Sequence, residues 1–147
     1  MSINNKAQSL NIILCLAGKG QRFIDRGYAT PKFLLKDARN SETILNLIIK
    51  NFCKSGVSKF FLVLNKQYKK WEVEIKQSIS SLKNLDHCLL YIDDTSGQAE
   101  TAYLGIEFIK KNALIDPNDP IGFHNGDTVL FQRNFKSTLD CLNNEVD

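Results

Sequence analysis

Segments with strand character alternate with segments of helical spacing along this 147-residue chain. Short, largely apolar runs predict four strands, at 11–16, 59–64, 88–92 and 121–124. The segments between and after them predict four helices, at 41–54, 66–83, 98–112 and 134–144. This alternation predicts an α/β fold with a mostly parallel sheet that is covered by helices on both faces.

The predicted helices each carry one apolar face. We expect Ser41 to be the N-cap of the first helix and Gly56 to end it. Tyr68 and Trp71 fall on the apolar face of the second helix, which favours a role in the core. In the helix over 98–112, the residues expected to face inward are Ala99, Ala102, Tyr103, Ile106 and Ile109.

A loop with two glycines and fixed positive charge follows the first strand. Residues 17–23 are Ala-Gly-Lys-Gly-Gln-Arg-Phe, and Pro31-Lys32 come shortly after. Glycine lets a backbone approach a ligand closely and present its N–H groups. Arg22 and Lys32 add cationic donors that suit phosphate oxygens. The segment is therefore interpreted as a binding loop for a nucleoside triphosphate.

Two common phosphate motifs do not describe this loop. The Walker pattern requires four residues between its first glycine and a Gly-Lys-Ser/Thr group, whereas this chain has Gly18-Lys19-Gly20-Gln21. The dinucleotide fingerprint needs a third glycine and a later acidic residue, but position 23 is Phe and the second strand is followed by Asn65.

Two further loops follow predicted strands. Ligands of open parallel sheets bind outside the carboxyl ends of the strands, so residues 93–98 and 125–128 are candidates for the same site. Asp127 is a candidate magnesium ligand, because Mg²⁺ favours one or two carboxylates together with waters and substrate phosphates. For Asp127, the alternative is a turn Asp that caps its own backbone. For residues 93–98, the alternative is a simple helix start capped by Thr95 or Ser96.

Residues 12–35 resemble the signature of the sugar nucleotidyltransferase family: an apolar strand, Ala-Gly-x-Gly-x-Arg-Phe, a spacer, and Pro-Lys-x-Leu at 31–34. The resemblance implies a Rossmann-like, three-layer α/β/α fold. It also implies transfer of a nucleotidyl group from a nucleoside triphosphate to a sugar 1-phosphate with release of pyrophosphate. Such enzymes serve nucleotide-sugar and surface-polysaccharide biosynthesis.

The resemblance implies specific roles. Arg22 and Lys32 become catalytic residues: Arg22 holds the β- and γ-phosphates, and Lys32 bridges the α-phosphate and the attacking phosphate. Gly97 admits the base, Gln98 contacts it, and Asp127 holds Mg²⁺. The implied nucleotide-binding residues are Leu16, Ala17, Gly18, Gly20, Arg22, Lys32, Gly97 and Gln98.

The chain departs from the family pattern in two respects. Gln21 stands where family members often have Ser or Thr, which removes a hydroxyl contact to phosphate. The family's catalytic domain is also considerably longer. We therefore expect residues 1–9 to be a flexible N-terminus and 10–147 to be the nucleotide-binding part, truncated before the sugar-binding part and a poor catalyst alone.

Composition excludes some partners. A net charge of +3 without a basic cluster argues against nucleic acid. No secretory segment and no run of apolar residues long enough for a bilayer is present, so we expect no membrane partner and a cytoplasmic location. The sequence leaves open whether the chain forms a homo-oligomer, which base it binds and which acceptor it uses.

Two other functions fit the same residues. One is a cytidylyltransferase that acts on an alditol or amino-alcohol phosphate, with a similar loop and a different acceptor pocket. The other is a catalytically inactive nucleotide-binding regulatory module or fragment.

Overall fold

The sheet has four parallel strands. In the computed structural model, which describes residues 10–57, 59–130, 137 and 141, they are β1 Asn11–Leu16, β2 Lys59–Asn65, β3 Asp86–Ile92 and β4 Ile121–Asn125. Their order is β3-β2-β1-β4, and every described pairing is parallel. The predicted α/β class is confirmed. The expected flexible segment 1–9 and, apart from Ser137 and Cys141, the expected helix over 134–144 lie outside the described residues.

Helices cover both faces of this sheet. The α-helices are α1 Gln21–Ile24, α2 Ile44–Cys53, α3 Glu72–Ile79 and α4 Gln98–Lys111, and short 3₁₀ helices span Lys32–Leu34 and Lys66–Trp71. Buried side chains of α2 and α3 pack on one face of β1 and β2. Those of α4 pack on the other face. The three-layer α/β/α arrangement is therefore confirmed. None of the helices in the described part of the chain has the length and apolar character to cross a membrane.

The start of α2 corrects one prediction. Thr43 is its N-cap, since the Thr43 hydroxyl accepts a hydrogen bond from the Asn46 N–H at 3.1 Å. Ser41 instead has a φ of 59°, outside the extended region that is typical of N-cap residues. Gly56, with a φ of 89°, ends the turn after α2 as predicted.

The helix expected over 66–83 is shorter and begins differently. The amide-bearing side chain of Asn65 accepts from the Gln67 N–H at 3.0 Å and starts a 3₁₀ helix, Lys66–Trp71, and α3 follows it. Tyr68 is buried in the core, as the spacing predicted.

The prediction of which α4 residues face inward was partly wrong. Tyr103 is 59% exposed and Ala99 is also exposed, whereas Thr101, Gly105 and Ile109 are buried. Gly105 lies so close to the sheet that an added Cβ would be 3.0 Å from Val63 Cγ2. Small residues let α4 approach the sheet, and a search for large apolar residues overlooks them.

The topology brings three loops to one edge. The chain adds β2 and β3 on one side of β1 and then returns with β4 on the other side. Cys15 is aligned with Asn125, and Asn65 with Ile92, so the carboxyl ends of the strands lie together. This reversal of strand order is the position at which open α/β sheets form their ligand crevices.

Candidate functional site

A cleft of about 540 Å³ opens at this edge of the sheet. Its walls come from the loops that follow β1, β3 and β4, together with Phe33 and Tyr68. It brings together every residue that the sequence singled out for binding or catalysis, namely Leu16, Ala17, Gly18, Gly20, Arg22, Lys32, Gly97, Gln98 and Asp127. A volume of this size is typical of small-molecule sites.

The glycine loop connects β1 to α1. Gly20 has a φ of 65°, which glycine adopts readily, and it immediately precedes α1. Within the described residues, no backbone carbonyl accepts from the N–H groups of Gly18, Lys19 or Gly20. The Gly18 carbonyl accepts from the Tyr68 hydroxyl at 2.7 Å. Tyr68 thus fixes the loop, while the N–H groups of Gly18, Lys19 and Gly20 have no backbone partner in the part of the chain that the structure describes.

Three cationic side chains line the cleft. Lys32 Nζ is 3.0 Å from the Asp127 carboxylate and 5.4 Å from the centroid of the Phe23 ring. Lys19 Nζ is 2.6 Å from the Asp94 carboxylate. Arg22 lies on α1 and is exposed, and no carboxylate in the described ranges pairs with it. Its guanidinium is therefore available to an anionic ligand without loss of an internal ion pair.

Asp127 follows β4 and faces this cationic side of the cleft. The hydrogen bond from Lys32 holds the pKa of its carboxyl below the usual range, so Asp127 is ionised at neutral pH. The described residues contain no group of three or more His, Cys, Asp or Glu that could enclose a metal. A single accessible carboxylate fits Mg²⁺, which keeps several waters and takes its other ligands from substrate phosphates.

Residues 94–98 form the opposite wall and lead into α4. The N-cap of α4 is Gly97, and no side chain caps it, so a cap at Thr95 or Ser96 is wrong. Thr95 instead hydrogen-bonds Thr101 through its hydroxyl at 2.9 Å, and the Ser96 N–H donates to Glu100. These bonds fix the loop and leave the exposed Gly97 and Gln98 at the cleft.

Sequence reasoning assigned no individual role in the site to three residues that shape it. Tyr68 was assigned only to the core, although it reaches the glycine loop with its hydroxyl. Asp94 links this wall to Lys19 and also accepts from Asn65 Nδ2 at 2.9 Å. Gly126 lies against Leu16, and an added Cβ would meet Leu16 Cδ2 at 2.0 Å. For Gly126, the available signal in the sequence was a glycine directly before the candidate metal ligand Asp127.

Solved structures share this architecture. A nucleoside-diphosphate-sugar pyrophosphorylase from Vibrio cholerae is 28% identical, with a TM-score of 0.67 over 84% of this chain and 49% of its own. A Bacillus anthracis protein described as a glucose-1-phosphate thymidylyltransferase is 18% identical, with a TM-score of 0.72 over 95% of this chain and 52% of its own. An inositol-1-phosphate CTP transferase from T. maritima is 16% identical, with a TM-score of 0.58 over 82% and 44%.

These likenesses confirm the resemblance to the sugar nucleotidyltransferases and the Rossmann-like fold. The chain spans about half the length of the solved structures that it matches. No protein-family model matches the sequence, and no curated protein matches it.

Proposed function

We propose that this chain binds a nucleoside triphosphate in the cleft and serves nucleotidyl transfer to a sugar 1-phosphate, with release of pyrophosphate. One observation carries the proposal: the glycine loop, Arg22 and Lys32 line one cleft at the strand-order reversal together with Asp127, which is 95 residues beyond Lys32 in the sequence. The 28% identical pyrophosphorylase supports the choice of reaction.

The chemistry matches what the cleft offers. A phosphate oxygen of the acceptor attacks the α-phosphorus, the bond to the bridging oxygen breaks, and pyrophosphate leaves with the electron pair. Such a reaction depends on positioning and on neutralisation of negative charge. The Gly18 and Gly20 N–H groups contact the triphosphate, Arg22 holds the β- and γ-phosphates, and Lys32 neutralises the α-phosphate and the attacking phosphate.

The opposite wall receives the nucleoside. Gly97 has no side chain and leaves room for the base, and the amide of Gln98 can donate to it or accept from it. Leu16 and Ala17 are buried at the floor of the cleft and offer an apolar surface. These assignments place the triphosphate between the two walls, with its phosphates toward Arg22 and Lys32.

Asp127 would hold Mg²⁺ as its single protein carboxylate. When bound, the ion would supply positive charge to the triphosphate oxygens. The Lys32 ammonium donates to one oxygen of the Asp127 carboxylate, so a metal ion bound by Asp127 would compete with Lys32 for that oxygen.

A second acceptor class fits the same fold. The T. maritima inositol-1-phosphate CTP transferase shares the architecture, which supports an alditol or amino-alcohol phosphate as the alternative acceptor. Because the nucleotide half of the reaction is identical, the two candidates differ only in the acceptor and the base.

The test is pyrophosphate release with Mg²⁺, five triphosphates (ATP, GTP, CTP, UTP and dTTP) and two acceptor panels, sugar 1-phosphates and polyol phosphates. Turnover that needs one triphosphate and one sugar 1-phosphate supports the main proposal, whereas turnover only with a polyol phosphate and CTP supports the alternative. Because residues 10–147 are expected to be a poor catalyst alone, triphosphate binding without turnover supports only the nucleotide-binding part of the proposal and leaves the binding-module alternative in place. Binding of none of the five triphosphates contradicts both candidates.

A further inference from the structure

The buried aromatic pair in the wall of the cleft connects the glycine loop with the segment that bears Lys32. The Tyr68 and Phe33 rings meet edge to face, with centroids 5.3 Å apart and an interplanar angle of 88°. Both rings are buried, at 7% and 4% exposure. Phe33 directly follows Lys32, and the Tyr68 hydroxyl donates to the Gly18 carbonyl at 2.7 Å. One side chain therefore supports both the glycine loop and the segment that bears Lys32.

We propose that Tyr68 is a positioning residue for the phosphate-binding loop, acting through its hydroxyl on the Gly18 carbonyl. This inference rests on the proposed binding of a triphosphate in the cleft. Tyr68 belongs to the segment after β2, which neither the glycine loop nor the motif at 31–34 includes.

Peptide geometry explains how one hydrogen bond can have this effect. The peptide unit between Gly18 and Lys19 is planar and trans, so its carbonyl and N–H point in opposite directions. When Tyr68 holds the Gly18 carbonyl, the Lys19 N–H is turned to the side away from the phenol. Glycine on either side of Lys19 would otherwise let this unit rotate with little resistance.

The surroundings keep the phenol in this role. Burial raises the pKa of Tyr68, so the hydroxyl remains protonated and donates at neutral pH. A Cβ added at Gly20 would be 3.6 Å from the Tyr68 hydroxyl, so the loop passes over that oxygen at ordinary contact distance. The ring packs in the core and cannot follow a displaced loop.

Tyr68→Phe tests the proposal, because it keeps the ring and removes only the hydroxyl. Tyr103→Phe is the matched control, since Tyr103 lies on α4, is 59% exposed and does not line the cleft. Calorimetry uses three probes: inorganic tripolyphosphate, the triphosphate that the wild type binds, and the corresponding nucleoside. We expect Tyr68→Phe to weaken tripolyphosphate and triphosphate binding by roughly three- to tenfold, the usual range for one hydrogen bond, and to leave nucleoside binding unchanged.

An amide NMR spectrum gives a second readout that needs no ligand. Tyr68→Phe is expected to shift the Lys19 amide signal, and Tyr103→Phe is expected to leave it in place. Equal affinity of wild type and Tyr68→Phe for tripolyphosphate and triphosphate, or an unchanged Lys19 amide signal, overturns the proposal. An equal loss of affinity for nucleoside and triphosphate also overturns it, because that result would indicate a merely structural role. If the wild type binds no triphosphate, the proposed function is contradicted. If the Lys19 amide signal is nevertheless shifted in Tyr68→Phe, the contact between Tyr68 and the glycine loop is still supported.

Discussion

Lys32 and Asp127 are 95 residues apart in sequence, yet their side chains form an ion pair at 3.0 Å. One follows the spacer after β1 and the other follows β4, so only the pairing of these two strands brings them together. Each is a candidate for a different part of the proposed reaction, contact with phosphate and binding of Mg²⁺. The Lys32 ammonium holds the pKa of the Asp127 carboxyl below its usual range.

This pair predicts the titration of Asp127. Lys32 lowers the pKa of the Asp127 carboxyl, so Lys32→Gln should raise it toward the ordinary value of about 3.9. Because the pKa is lower when folded than when unfolded, the pair stabilises the fold above the unfolded-state pKa. That contribution is lost as the pH falls through the folded-state pKa. It is small, since both side chains are about a third or more exposed.

Carboxyl NMR titration of wild type and Lys32→Gln measures this shift directly. Lys50→Gln serves as the control, because Lys50 pairs with Glu42 and does not line the cleft. An Asp127 titration that is unchanged in Lys32→Gln would show that the two side chains do not interact in solution.

Arg22 should contribute affinity for phosphates and little to stability. It is exposed and has no carboxylate partner among the described residues, so Arg22→Ala leaves no internal charge unpaired. Loss of a charge-assisted hydrogen bond should weaken triphosphate binding by roughly 1.5–3 kcal/mol. Calorimetry measures this, with Arg26→Ala in the exposed spacer as the control; equal effects of the two variants would indicate only a general loss of positive charge.

Asp127 should matter for metal-dependent binding. Asp127→Asn keeps the shape of the side chain and removes the charge that Mg²⁺ requires. We expect triphosphate affinity in Mg²⁺ to fall while affinity in EDTA stays nearly the same, with the melting temperature almost unchanged. Asp116→Asn, in an exposed turn far from the cleft residues, is the control. A much lower melting temperature with normal binding of the Mg²⁺-nucleotide would identify Asp127 as a structural turn residue.

Two glycines at the cleft should respond in opposite ways. A Cβ at Gly126 would meet Leu16 Cδ2 at 2.0 Å, and Leu16 is buried, so Gly126→Ala should destabilise the fold by about 1–3 kcal/mol. A Cβ at Gly18 would meet nothing within 4 Å, so Gly18→Ala should fold normally but obstruct the close approach of phosphate. Chemical denaturation and triphosphate calorimetry on both variants separate the two effects; similar stability loss in both would contradict the contrast.

Much of this arrangement could be predicted from sequence, because the signals were local. The apolar runs at 11–16 and 59–64 predicted buried strands, and the glycine loop with Arg22 stood directly after the first of them. The alternation of elements then placed the loop before Asp127 at the same sheet edge. Two helix starts differed from the prediction, because Thr43 caps α2 and Asn65 starts a 3₁₀ helix before α3.

The remaining features depend on tertiary contacts that a sequence pattern does not encode. The Tyr68 hydroxyl meets Gly18 only after β2 has paired with β1. The Asp94 carboxylate pairs with Lys19 only because the loops after β1 and β3 lie at the same edge of the sheet. The buried face of α4 includes Thr101 and Gly105, and Gly105 is small enough to lie against Ile13 and Val63.

The most direct test of the central claim is a titration of nucleoside triphosphates with Mg²⁺ into the ¹⁵N-labelled chain, followed by amide NMR. We predict that at least one triphosphate binds and that the largest shifts fall in residues 16–22, at Lys32, at 97–98 and at Asp127. Absence of binding by all five common triphosphates at millimolar concentration, or binding with the largest shifts away from these residues, would contradict it.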